Sequence, residues 1–92
     1  MIGSVKQMKN KKIVINNPTG LDLDLAGVIC KKAVQYKSLI TFTYRDGSAN
    51  AKSVLSVLGS CVRGGDEIEL FCDGVDEDEA LAAITSILEP EK

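Results

Sequence analysis

The chain has 92 residues, a net charge of −2 and a pI near 5.0. That length suits one domain with a modest core, and the acidic balance weighs against a nucleic-acid partner, whose phosphates need a basic surface. No histidine occurs, which removes the commonest general base, the commonest metal ligand and the usual phosphoryl-accepting ring nitrogen.

The basic cluster Lys6, Lys9, Lys11 and Lys12 has no interleaved aromatics and reads as a solvated end and strand edge. Residues 1–8 lack periodicity, so a frayed or extended start is expected. Ile13-Val14-Ile15, ended by Asn16, Asn17 and Pro18, reads as the first strand, over Lys11 to Ile15. Asp22 then stands as an N-cap with Asp24 two residues on, and Leu25, Val28, Ile29, Ala33 and Tyr36 fall on one helical face. Lys31, Lys32 and Lys37 suit the negative end of that helix dipole.

Residues 38–44 alternate, with Ile40, Phe42 and Tyr44 on one face, and Arg45-Asp46-Gly47 reads as a hairpin turn into a short strand from Ser48 to Ala51. Ser53 caps a brief helix over Val54 to Leu58, expected to stop at Gly59. After the Gly64-Gly65-Asp66 turn, Ile68, Leu70 and Cys72 face inward from a strand over Glu67 to Cys72. Asp76 is expected to cap the last helix in a capping box with Glu79, burying Ala80, Ile84, Ile87 and Leu88 before Pro90 stops it. The order β-α-β-β-α-β-α predicts an α+β fold, a four-stranded antiparallel sheet with three helices on one face, in a single domain with its core at about residues 8–89.

Cys30, Cys61 and Cys72 are odd in number and lack C-x-x-C spacing, so free thiols, no metal site and a reducing cytoplasm are expected. Cys61, although near Arg63, and Cys72 read as small hydrophobes. Residues 1–10 contain no signal-peptide h-region and no apolar run is long enough for a bilayer, so no membrane association is expected. The acids Asp73, Asp76, Glu77, Asp78 and Glu79 lack the spacing of a Ca²⁺ loop, and helix capping accounts for them.

The element order, Gly20-Leu21 before the first helix, Asn50-Ala51-Lys52-Ser53 before the second and Gly74 with Asp76-Glu77 before the third together resemble HPr, the small phosphocarrier of the bacterial sugar phosphotransferase system. The resemblance runs from about Lys11 to Leu88. It implies an open-faced β-sandwich and two phosphorylation sites. One is the histidine of a Gly-Leu-His-x-Arg-Pro-Ala motif, charged by Enzyme I and discharged to sugar-specific EIIA components. The other, in Gram-positive lineages, is a serine opening the second helix, modified by the HPr kinase/phosphorylase and then read by a catabolite transcriptional regulator.

In the first motif Asp22 stands for the histidine, Asp24 for the arginine and Leu25 for the proline, while Gly20, Leu21 and Ala26 keep the scaffold. The second motif is intact at Ser53, and Asn50-Ala51-Lys52-Ser53 is similar to the catabolite-repression branch of the family, which also lacks the histidine. Cys61 stands where a glycine is usual after the second helix, so Gly59 is expected to supply the stop.

An aspartate can form an acyl phosphate, but that chemistry normally needs a Mg²⁺ cage. A second carboxylate at roughly 4 Å would instead cost about 1 to 4 kcal/mol in like-charge repulsion. The expectation is therefore a regulatory protein, not an enzyme, acting through Ser53 and an apolar docking patch of Val54, Leu55 and Leu58. The implied partners are the HPr kinase/phosphorylase and a catabolite regulator, with no cofactor, no metal and no direct nucleic-acid contact. Three alternatives stay open: Asp22 as a phosphoryl acceptor, Asp22 as a fixed mimic of the phosphorylated state, and a binding module with neither site active.

Overall fold

β-Branched and alternating segments become strands and the three capped apolar stripes become helices, in the order β1 (Lys9–Val14), α1 (Leu23–Ala33), β2 (Leu39–Tyr44), β3 (Gly47–Asn50), α2 (Val54–Gly59), β4 (Glu67–Asp73) and α3 (Glu77–Leu88). The structure is a computed structural model that describes residues 9–45 and 47–89. The expectations for residues 1–8, Lys6 among them, and for Asp46 and Pro90 lie outside the described residues.

The strands form one antiparallel sheet in the order β1-β4-β2-β3. Its register sets Ile13 opposite Ile68, Ile40 opposite Cys72, and Phe42 opposite both Leu70 and Ala49. These residues are all buried, because the period of two sends them to the same face. Ala26, Ile29 and Ala33 of α1, Val57 of α2, and Ala80, Ile84 and Leu88 of α3 close that face. The opposite face carries Asn10, Lys12, Thr43 and Glu69 and stays open. Fully burying an aliphatic side chain contributes about 1.5 to 3 kcal/mol, so this single layer of contacts holds the domain. Among the described residues, no helix is long and apolar enough to cross a membrane.

Several local expectations are corrected. Val28 is 51% exposed and Ala26 is fully buried, because the sheet meets α1 along Ala26, Ile29 and Ala33. Tyr36 lies beyond α1 and packs half-buried against the core. The expected hairpin joins β2 to β3, but Gly47 already pairs with Tyr44 as the first residue of β3, so the strand starts one residue earlier than expected. Gly59 is the last residue of α2, not its stop. The chain leaves that helix through Cys61, the one described non-glycine residue with positive φ, at 57°. Cys61 is also exposed, not a packed hydrophobe.

Asp76 occupies the N-cap position of α3 but makes no side-chain cap bond. Its carboxylate reaches the α1–β2 connection, accepting from the backbone N–H groups of Lys37 and Ser38 at 2.9 Å each and from the Ser38 hydroxyl at 2.5 Å. The capping box with Glu79 does not form; Glu77 accepts from the Gly74 N–H at 3.0 Å instead.

Candidate functional site: two helix N-termini

The loop into α1 is shaped by Gly20. Its φ of +69° is left-handed, and a Cβ there would lie 2.3 Å from the Val62 carbonyl oxygen. That close approach pins the loop on the α2–β4 connection, where the Leu21 N–H donates to the Val62 carbonyl at 3.0 Å. Asn17 folds the loop on itself: its side-chain amide donates to the Gly20 carbonyl, and its own carbonyl accepts from the Gly20 N–H, each at 2.8 Å.

Asp22 emerges from this loop in extended conformation as the N-cap of α1. One carboxylate oxygen accepts from the Leu25 N–H at 2.9 Å, and the other accepts from the Thr19 hydroxyl at 2.5 Å. The Thr19 hydroxyl, and after it the Leu25 N–H, hold this carboxyl below the usual carboxylate range. Both oxygens are therefore engaged and the group is anionic at neutral pH. Asp24, in the first turn, is exposed. Asp22, Asp24 and Leu25 line a groove of about 500 Å³ together with Asn16, Val28 and Ile87. The sequence offers no local signal for this groove, because α1 and the distant C-terminal part of α3 form it jointly.

Ser53 is the N-cap of α2, again in extended conformation. Its hydroxyl oxygen accepts from the Ser56 N–H at 3.2 Å, and its own N–H donates to the Asn50 carbonyl at 3.1 Å. Asn50 organises the approach: its side-chain oxygen accepts from the Lys52 N–H, and its N–H donates to the Ser56 hydroxyl, each at 2.9 Å. Lys52 docks this loop on α1, its ammonium donating to the Tyr36 carbonyl at 2.8 Å while its own carbonyl accepts from the Cys30 thiol at 3.1 Å. The first turn of α2 carries no acidic residue, unlike that of α1, with Asp24, or that of α3, with Glu77, Asp78 and Glu79. Leu55 is 82% exposed, while Val54 and Leu58 are half-buried against the core. The expected docking patch therefore presents one fully exposed side chain.

Three features escaped sequence reasoning. The first is the Ser38–Asp76 latch, which joins residues 38 apart in sequence. The second is the α1–α3 groove, and the third is the left-handed Cys61. Cys72 is buried, and its thiol is pushed up to about 11, first by desolvation and then by the Glu77 and Asp76 carboxylates. It is chemically quiet at neutral pH. No group of three or more His, Cys, Asp or Glu able to hold a metal occurs among the described residues.

A four-stranded antiparallel sheet covered on one side by three helices, with polar N-caps opening α1 and α2, defines a small α+β protein of the open-faced sandwich class. The family model described as the PTS HPr component phosphorylation site matches residues 9–90, and the chain belongs to the HPr family. It is 35% identical to the phosphocarrier protein HPr of Mycoplasma genitalium over 86 residues, covering 92% of this chain and 98% of the relative. The solved structure of the histidine-containing phosphocarrier protein of Mycoplasma superposes with a TM-score of 0.83 at 30% identity, covering 86% of this chain and 90% of that one. Crh, the catabolite-repression protein of Bacillus subtilis, superposes with a TM-score of 0.73 at 29% identity, covering 89% and 94%. That protein forms a domain-swapped dimer.

Proposed function

We propose that this HPr-family chain no longer relays phosphoryl groups through the start of α1 and instead acts as a cytoplasmic regulatory protein of carbon catabolite control, through phosphorylation of Ser53 and protein–protein contacts. The observation that carries this reading is the contrast in chemistry between the two caps. With no histidine in the chain, the residue at the phosphohistidine position is Asp22, a carboxylate already bonded at both oxygens. Ser53 keeps a hydroxyl on a helix start free of acidic neighbours in its first turn.

In the modification itself, the Ser53 oxygen attacks the terminal phosphorus of ATP, its proton leaves to base, and ADP departs. The added oxygens meet the N-terminal N–H groups of α2, so charge is gained with little change of fold. The new charge stands beside exposed Leu55, a combination that alters which partner surface fits. The partners under this reading are an HPr kinase/phosphorylase and a catabolite transcriptional regulator. The likeness to Crh supports the same assignment.

Treatment with an HPr kinase and ATP is expected to add one phosphoryl group to the intact mass and to leave Ser53→Ala unmodified. An unchanged wild-type mass, or equal modification of the variant, rejects the reading.

A further inference from the structure

The groove between α1 and the C-terminal part of α3 has an apolar floor and a rim of one sign. Leu25 and Ile87 are half-buried and Val28 is 51% exposed, while Asp22 and Asp24 supply two carboxylates and, among the described residues, no lysine or arginine lines it. The Asp22 oxygens are committed to Thr19 and Leu25. Asp24 has no hydrogen-bond or ion-pair partner among the described residues and stands exposed at the edge. Asn16, also exposed, lines the same groove. The groove thus offers apolar contact area beside a fixed negative charge that pairs with no other group among the described residues.

We infer that this groove docks a segment of a partner protein that carries a lysine or arginine next to apolar side chains, the cation pairing with Asp24 and the apolar residues covering Leu25, Val28 and Ile87. Charge complementarity selects this occupant. An acidic or phosphorylated segment would meet Asp24 and Asp22 as like charges on approach, while an uncharged apolar segment would leave Asp24 beside a desolvated surface without compensation. A charge-assisted contact at the rim also makes the association dependent on ionic strength. Ser53 is not among the groove residues, so this docking does not depend on its phosphorylation.

The test uses ¹⁵N-labelled full-length protein bearing Ser53→Ala, titrated with two capped peptides, acetyl-Leu-Arg-Ala-Leu-Leu-amide and its Arg-to-Glu counterpart, with amide shifts read residue by residue. The arginine peptide is expected to give saturable shifts at Asp24, Leu25, Val28 and Ile87, with a dissociation constant of about 1 mM or below. The glutamate peptide is expected to bind at least about tenfold more weakly, and Asp24→Lys to invert that preference. Val28→Ser is expected to weaken both peptides. Circular dichroism of both variants checks that the fold is retained; the two substitutions fall at exposed positions.

The absence of saturable shifts at those four residues, or equal binding of the two peptides, overturns the inference. Two other outcomes also overturn it. A rise in peptide affinity on deleting residues 90–92 assigns the groove to the chain's own end, and shifts at the same residues on simple dilution assign it to a second copy. Because Ser53 is absent from the tested protein, failure here is distinct from failure of the regulatory reading above.

Discussion

The starts of α1 and α2 are built alike and charged differently. Asp22 and Ser53 both enter in extended conformation, and each accepts from the N–H three residues on, Leu25 at 2.9 Å and Ser56 at 3.2 Å. Each is preceded by a turn closed by a backbone bond, from Gly20 to Asn17 and from Ser53 to Asn50. At α1 the cap brings a permanent negative charge, reinforced by Asp24. At α2 the cap is neutral and follows Lys52. Either residue satisfies an orphan helix N–H. Only the hydroxyl leaves the charge at that helix end as something an enzyme can change. One architectural solution therefore gives a fixed anion at the start of α1 and a neutral hydroxyl at the start of α2, which the proposed phosphorylation would charge.

Exchanging the chemistry of the α1 cap gives the largest expected effect. Incubated with Enzyme I and labelled phosphoenolpyruvate, the wild type is expected to take up no label. The double substitution Asp22→His with Asp24→Arg, which supplies a nucleophilic nitrogen and a clamp for phosphoryl oxygens, is expected to take it up. Stoichiometric label on the wild-type Asp22 would remove the distinction between the two ends.

At the other cap, Ser53→Ala is expected to abolish modification by an HPr kinase and to lower stability by about 1 kcal/mol, measured by urea unfolding, because the Ser56 N–H loses its acceptor. The way the chain leaves the same short helix gives a stability effect of similar size and opposite sign. Cys61→Gly is expected to stabilise by about 1 kcal/mol, since glycine carries no side-chain penalty at a φ of 57°. Gly59→Ala is expected to stabilise by about 0.5 to 1 kcal/mol, as Gly59 is helical and a Cβ there meets nothing within 4 Å. Destabilisation by Gly59→Ala would return the helix stop to Gly59.

The smallest effect concerns pH. The Asp22 carboxyl is held below its ordinary value of 3.8 by Thr19 and Leu25. Its ionised form therefore adds stability that is present above the unfolded-state value and is lost as pH falls through the lower folded-state value. Asparagine also caps helices, so Asp22→Asn is expected to fold normally at pH 7. Relative to the wild type it should lose less stability on acidification below about pH 4. Parallel acid-unfolding curves for the two proteins would show that the carboxylate is not held as its geometry indicates.

Most of what surrounds the two caps was legible before any coordinates. The element order and the inward sets Ile68, Leu70, Cys72 and Ala80, Ile84, Leu88 follow from sequence pattern, whereas Ile87, expected in the buried stripe of the last helix, is only half-buried because it lines the groove with α1. Asp22 and Ser53 were legible because a cap bond spans three residues. Errors collected where one short pattern admits two outcomes. Asp76 followed by Glu79 reads as a capping box, yet the Lys37 and Ser38 N–H groups and the Ser38 hydroxyl together offered the carboxylate three bonds where a cap offers one. Gly59 reads as a helix stop, yet the chain turned two residues later.

The sequence by itself determined the fold class, the helix starts and the missing histidine, because each depends on residue type and on neighbours within one turn or one strand. The tertiary structure decided the sharing of Asp76 with Ser38, the exposure of Val28, and the meeting of α1 with the end of α3 in a groove rimmed by Asp22 and Asp24. These depend on which distant surfaces pack together. An amphipathic stripe states that a face will be buried; the angle and edge of its neighbour fix where burial ends and a usable surface begins.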